Sequence, residues 1–325
     1  MFEQIPFHKE FSSYIQNAEF PAQPKDLYDP IKYILSLSGK RIRPLLVQLA
    51  SEMFADKNQE GVLPASTAIE YFHNFSLIHD DIMDNAPLRR GKPTVHQKWN
   101  DNVAILSGDA LLVKAYQELG KCPSDKVANL LSVFNKLAIE VCEGQQLDMD
   151  FEVQENVTEE EYINMIRLKT SVLLGGALQM GAILSDADQI QQQLVYSFGV
   201  NLGIAFQLQD DFLDVYGDPE KFGKQVGGDI LSDKKTILRI KTQQLAKDDD
   251  RTELLDLTNN LTISAADKVS RMKTLYAKLN IGQYAEELKE RYMQLAYHYL
   301  NEINVNEEKK ASLYNLADKL MHRSK

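Results

Sequence analysis

Two acidic runs with the same spacing, Asp80-Asp81-Ile82-Met83-Asp84 and Asp210-Asp211-Phe212-Leu213-Asp214, stand far apart in the chain with strongly apolar residues before each. The segments SLIH and AFQLQ that lead into them are too apolar for ordinary solvated helices. Four residues on a helix turn through about 400°, so the first and fifth positions of each run lie nearly on one face. Carboxylates so placed repel one another unless a cation lies between them. Hard oxygen ligands offered singly, with room for water and phosphate oxygens, suit Mg²⁺ better than a caged Ca²⁺. A fold that uses both runs must bring two helices together with their carboxylate faces opposed across a central cavity.

Helical signals run from end to end. Asp29-Pro30 opens a helix that Gly39 stops, and Pro44 begins another. Pro64 lies near the start of a long helix through Asp84, and Asn85 to Trp99 reads as loop. Asp101 opens a helix, Ser124 caps one through Asp150, and Thr158 with Glu161 has capping-box spacing for a helix to Leu184. Ala187 to Val215 carries the second acidic run, Lys234 to Thr236 begins the next helix, and Lys247 to Arg251 reads as a charged solvated loop. Three further helices fall around 265–279, 284–303 and 306–322. No strand of convincing alternation and no fixed-period repeat appears. The expectation is a single all-α domain over residues 1–325 with ten or more helices.

A formal net charge of −11 over 325 residues argues against nonspecific nucleic-acid binding while allowing a local basic pocket. No apolar run reaches the length of a membrane span, and the amino terminus lacks the apolar core of a secretory leader. Cys122 and Cys142 form no CxxC pair and read as packing residues of a reduced, cytoplasmic protein.

Basic residues follow each acidic run. Arginine forks grip phosphate oxygens bidentately, so Arg89, Lys169, Lys224 and Lys234 could hold a metal-bound diphosphate, and Lys40, Arg43 and Arg90 a second anion without metal. Metal charge would make a diphosphate on an allylic carbon a good leaving group. The oxygen dipoles of Thr170 and Gln207 could then face the developing cation.

The motifs GKRIRP (Gly39–Pro44), HNFSLIHDDIMDNAPLRRGKPT (His73–Thr94), KTSVLLGGAL (Lys169–Leu178), FQLQDDFLDVYGD (Phe206–Asp218) and FGKQVGGDILSDKKT (Phe222–Thr236) resemble those of the trans-isoprenyl diphosphate synthases, in that family's order and spacing. The resemblance implies the all-helical isoprenoid synthase fold, a homodimer and three Mg²⁺ ions. It implies that Asp80 and Asp84 bind two metals and Asp210 the third, with Asp81, Asp211 and Asp214 in the same acidic machinery. Lys40, Arg43, His73 and Arg90 match the isopentenyl diphosphate site. Arg89, Lys169, Lys224 and Lys234 match the allylic diphosphate site, whose substrates are dimethylallyl, geranyl and farnesyl diphosphate. The implied reaction is head-to-tail 1′-4 condensation, with the released diphosphate accepting the proton.

The family also carries a product-length rule, in which bulky residues just before the first acidic run floor the elongation pocket. Phe72, Phe75 and Ser76 occupy those positions, about 7–12 Å down the helix from the aspartates. Such a shallow floor implies a C15 or C20 product, and the lack of an insertion in the first run looks most like an archaeal-type geranylgeranyl synthase. Phe72 and Phe75 could instead serve only as core packing. Two rival functions are a class I terpene cyclase, which needs no second anion site, and a noncatalytic subunit of a heteromeric synthase, which would be expected to lack some of these ligands.

Overall fold

The computed structural model describes residues 6–57, 59–217, 227–260 and 262–321. Among them the only strands are two of two residues each, and the rest of the regular structure is helical. The chain forms two compact units, Met1–Ala138 with Gly176–Tyr196, and Ile139–Gly175 with Ser197–Lys325.

In the first unit the elements are α1 (Pro6–Gln16), α2 (Lys25–Ser36), α3 (Ile42–Phe54), α4 (Val62–Met83), β1 (Leu88–Arg89), β2 (Lys92–Pro93), α5 (Val95–Lys98) and α6 (Asp101–Leu119). They are joined by the early part of α7 (Val127–Val153), the later part of α9 (Val172–Leu184) and the start of α10 (Gln189–Tyr216). Helix α4 is the axis. It is apolar around most of its circumference and packs against α3 and α6, as a helix with no single polar face must. Ala104, Ser107, Gly108 and Ala115 of α6 are fully or nearly fully buried, and such small residues let it approach α4 closely. The ring of His79 lies directly over Gly108, where a Cβ would come within 2.4 Å of Nε2. His79 is thereby a packing residue, stacked edge-on against Phe75 at 4.7 Å.

Helix α2 begins at Lys25, five residues before Pro30, and ends at Ser36 short of Gly39. A proline there forfeits one backbone hydrogen bond in exchange for a buried apolar ring. Pro44 and Pro64 both fall in the first turn of their helices, where the missing N–H has no intrahelical partner to lose. The segment read as loop before Trp99 holds an antiparallel pair, with Leu88 opposite Pro93 and Arg89 opposite Lys92. Its two-residue turn, Arg90-Gly91, has φ of 54° and 74°, the type I′ geometry that fits strand twist.

The second unit holds the later part of α7, α8 (Glu159–Ile166), a π-helical turn (Arg167–Ser171), the start of α9 and most of α10. It continues with α11 (Gly228–Leu231), α12 (Ile237–Leu245), α13 (Asp248–Asn259), α14 (Ala265–Lys278), α15 (Ile281–Glu302) and α16 (Glu307–Met321). The Thr158–Glu161 capping box is present at the start of α8. The expected loop at Lys247 is instead the entry to α13. Asp248, Asp249 and Asp250 fill its first turn, where acidic side chains complement the helix dipole. Cys122 is buried, Cys142 is exposed, and neither is in a disulfide. None of the described helices is long and apolar enough to cross a membrane.

Candidate active site

The first acidic run sits where its own helix disfavours it. Asp80 and Asp81 occupy the last turn of α4 and Asp84 caps its C-terminus, with the Asp84 N–H still bonded to the Asp80 carbonyl at 2.9 Å. Three carboxylates there face the negative end of the helix dipole. Compensation comes from the hairpin. Arg89 Nε donates to Asp81 Oδ1 at 2.9 Å, and Nη2 donates to the same oxygen and to Asp80 Oδ2 at 3.3 Å. The side chain of Asp81 is 1% exposed and that of Asp80 18%, while Asp84 is exposed. Burial pushes the Asp81 carboxyl above its usual range against the pull of Arg89, and its Oδ2 is buried with no hydrogen-bond partner.

A second cluster of arginines forms around the α2–α3 junction. Arg41 enters α3 in a left-handed conformation and ion-pairs with the buried Glu70 of α4. It also donates to the carbonyls of Leu35 at 2.6 Å and Leu37 at 3.3 Å, and Asn74 secures Glu70 at 2.9 Å. This strut holds the junction on α4. Beside it, Arg43 Nη1 lies 3.2 Å from His73 Nε2. A guanidinium can only donate, so Nε2 accepts and the imidazole carries its proton on Nδ1. Burial, reinforced by Arg43, Arg90, Arg89 and Arg41, holds the His73 pKa well below the usual histidine value. Burial lowers Arg43 to about 10. Arg90 donates to the Leu37 carbonyl at 3.3 Å, and its guanidinium lies against Gly39, where a Cβ would come within 2.7 Å of Nη1. The glycine of GKRIRP therefore leaves room for Arg90. Lys40 is exposed on the same junction.

Below this cluster on α4, Phe72 is buried, and Phe75 and Ser76 are half-buried. Phe72 contacts Phe75 at 5.6 Å and Phe134 edge-on at 5.4 Å. Tyr116 backs Phe134 at 5.0 Å, and Ser76 Oγ donates to the His73 carbonyl at 2.8 Å.

In the second unit, Lys169 and Thr170 project from the π-helical turn, a form enriched at functional sites. Lys169 Nζ donates to Asp148 Oδ2 at 2.5 Å, and Lys234 Nζ lies 3.9 Å from the same oxygen. Burial works against it, but Lys234 and Lys169 hold the Asp148 carboxyl below its usual range. Asp148 is one of several acidic residues near the end of α7, and only its contact with two lysines distant in the chain reveals a role for it. The turn is seated against Gly144 of α7, where a Cβ would fall 2.2 Å from the Lys169 backbone nitrogen.

The second acidic run lies on α10. Asp211 is buried, accepting from Tyr162 Oη and from Gln207 Nε2 at 3.1 Å. Burial and the nearby Asp229 push it up to about 7. Asp214 Oδ2 accepts the Asp229 N–H at 3.0 Å, holding the start of α11, and Asp210 is half-buried. Lys224 lies outside the described residues.

The residues present fit magnesium in its usual protein setting, one or two carboxylates with the remaining positions left to water and phosphate oxygens. No three Asp, Glu, His or Cys side chains among the described residues form a metal cage. A cavity of about 760 Å³ beside Tyr14, Tyr71 and Glu118 is lined by none of the residues expected in the site.

The polyprenyl synthetase family model matches residues 24–279, a span that enters both units. The short chain isoprenyl diphosphate synthase of Methanocaldococcus jannaschii is 42% identical over 238 residues, 73% of this chain and 72% of that protein. The geranylgeranyl diphosphate synthase of Saccharolobus solfataricus is 38% identical over 306 residues, covering 93% and 91%. A crystal structure of a geranylgeranyl pyrophosphate synthase superposes with a TM-score of 0.89 at 43% identity, covering 98% of this chain and 97% of that one.

Proposed function

Since the chain belongs to the polyprenyl synthetase family, we propose that it is a Mg²⁺-dependent, cytoplasmic trans-prenyltransferase that condenses isopentenyl diphosphate head-to-tail with allylic diphosphates. Its product is geranylgeranyl (C20) or farnesyl (C15) diphosphate. The observation that carries this reading is the family match at 42% and 38% identity to named synthases, together with two aspartate runs that each keep a basic residue or hydrogen-bond donor on a buried carboxylate.

Asp80, Asp84 and Asp210 would hold magnesium, which when bound would supply the charge that makes the allylic diphosphate a leaving group. Arg89, anchored on the aspartates through Nε and Nη2, would grip the diphosphate together with Lys169 and Lys234, and the family motif assigns Lys224 to the same set. Arg43, Arg90, Lys40 and neutral His73 hold the second diphosphate. As the allylic C–O bond breaks with its electron pair going to diphosphate, the oxygen dipoles of Thr170 and Gln207 face the allylic cation. The isopentenyl double bond attacks it, and the released diphosphate takes the proton that restores the double bond. Phe72, Phe75 and Ser76 set the floor on which the growing chain stops.

The enzyme acts as a homodimer. On α6, Leu106 and Val113, with Ile105 and Tyr116 beside them, form an exposed apolar face between residues 105 and 116, of the kind that marks an interface. Incubating purified protein with dimethylallyl, geranyl or farnesyl diphosphate, with and without isopentenyl diphosphate, tests the activity. Chain elongation only when both are present is expected. Hydrocarbon released without isopentenyl diphosphate would show a cyclase instead.

A further inference from the structure

We propose that Tyr162 and Asp211 form a positioning relay that fixes the amide of Gln207 with its oxygen, not its NH₂, toward the reacting carbon. The inference rests on the prenyltransferase reading above and adds to it the residues that decide which end of the amide meets the cation.

The primary amide of Gln207 has a donating end and an accepting end of nearly equal size, and rotation about its terminal torsion exchanges them. Only the oxygen end stabilises a carbocation. The NH₂ end would oppose it by a similar amount, so a free amide would place a favourable dipole only part of the time. Gln207 and Asp211 stand four residues apart on α10 and therefore on one face. Gln207 Nε2 donates to Asp211 Oδ1 at 3.1 Å. That bond occupies the donating end and directs Oε1 away from the carboxylate.

The orientation holds only if Oδ1 stays turned toward Gln207. Asp211 is 4% exposed, so the protein groups around it fix the plane of its carboxyl. A carboxyl free to rotate about its terminal torsion would break the contact and let Gln207 turn over. Tyr162 Oη donates to the other oxygen, Oδ2. That bond pins the carboxyl plane and leaves Oδ1 to accept from Gln207. Tyr162 is itself 2% exposed and sits in the first turn of α8, whose start is fixed by the Thr158–Glu161 capping box. A rigid helix end thus carries its position through one carboxyl to one amide.

Two probes separate this role from diphosphate binding. One is an allylic thiolodiphosphate, which is neutral at the prenyl carbon and does not ionise. The other is an aza analogue with an ammonium in place of the cationic carbon. Wild-type protein is expected to prefer the aza analogue. Tyr162→Phe removes the phenol, and Asp211→Asn offers Gln207 both a donor and an acceptor. Each should reduce affinity for the aza analogue, and kcat, by about 10- to 100-fold, the usual range for residues that orient others, with thiolodiphosphate affinity and both KM values nearly unchanged. Asp211→Glu keeps two acceptor oxygens and should recover part of the preference. If both variants fold, bind the two probes in the wild-type ratio and keep kcat, the relay is wrong. Equal weakening of both probes would also overturn it, because the chain would then be acting on the diphosphate. Wild-type protein that elongates no allylic substrate would instead sink the underlying functional reading.

Discussion

Gly144→Ala is the substitution in which a single methyl group tests the most of this structure. The added Cβ would lie 2.2 Å from the Lys169 backbone nitrogen and 2.6 Å from its Cα. Ordinary contact begins near 3.4 Å, so α7 and the π-helical turn must separate by about 1.2 Å. The nearest atoms the Cβ would meet are all backbone, and no side-chain rotation relieves the clash. Overpacking of this kind costs about 1–3 kcal/mol. The functional cost should be larger in proportion, because Lys169 and Thr170 ride on the turn and a misplacement near 1 Å can cost about 100-fold in rate. Steady-state kinetics with the allylic and isopentenyl substrates varied separately should show kcat/KM for the allylic diphosphate reduced about 100-fold. KM for isopentenyl diphosphate should move little, since Arg43, His73 and Arg90 are held by α3, α4 and the hairpin. Gly91→Ala is the control, with a φ of 74° but no atom within 4 Å of its Cβ, so it strains one turn without moving Lys169. Wild-type kinetics and an unchanged Tm for Gly144→Ala would refute the seating of the turn.

Phe75→Ala should lengthen the product by one or more isoprene units on chromatography, and an unchanged product would sink the floor assignment. His73 has a pKa well below the unfolded histidine value of about 6.5. The unfolded chain therefore binds the proton more readily, and the stability His73 confers is complete above about pH 6.5 and declines as pH falls through the window down to its folded pKa. The slope is at most about 1.4 kcal/mol per pH unit, and His73→Gln should remove it in urea titrations at pH 5 to 7. Leu106→Glu on the exposed α6 face should shift the sedimentation coefficient to that of a monomer, and an unaltered dimer would exclude that face.

What the sequence disclosed followed physical range. The two aspartate runs, the Thr158–Glu161 capping box and the prolines at helix starts are local patterns, and local hydrogen bonding decides them. The Arg90-Gly91 hairpin carries little local signal, because Arg-Gly is an uncommon I′ pair and its strands are too short to alternate. The π-helical turn lies inside an unbroken helical pattern, and what marks it out is the approach of α7 at Gly144, more than twenty residues away. Asp148, Arg41 and Tyr162 are residues whose roles lie in their partners. Arg41 looks like one more cation in a basic run until Glu70 is seen buried beneath it. Lys247 to Arg251 carried too much charge to resemble a helix, and that charge is what the N-terminus of α13 accommodates.

The two acidic runs share a division of labour that follows from helix geometry. The first and fifth positions lie on one face, and the second is turned about 100° from the first. In both runs the second aspartate is the buried one, Asp81 fixed by Arg89 and Asp211 by Tyr162 and Gln207, while its neighbours are more accessible. An anchor and a ligand should fail differently when neutralised. Asp81→Asn removes the charge under a buried, charge-assisted pair and should cost roughly 1.5–3 kcal/mol of stability, read as a lower Tm with no metal present. Asp80 touches Arg89 only at 3.3 Å, so Asp80→Asn should leave the unfolding free energy within about 1 kcal/mol of wild type while raising the Mg²⁺ concentration needed for half-maximal turnover. The reverse pattern, a destabilised Asp80→Asn and an Asp81→Asn that loses only magnesium affinity, would mean that the buried carboxylate is the ligand and its half-buried neighbour the strut.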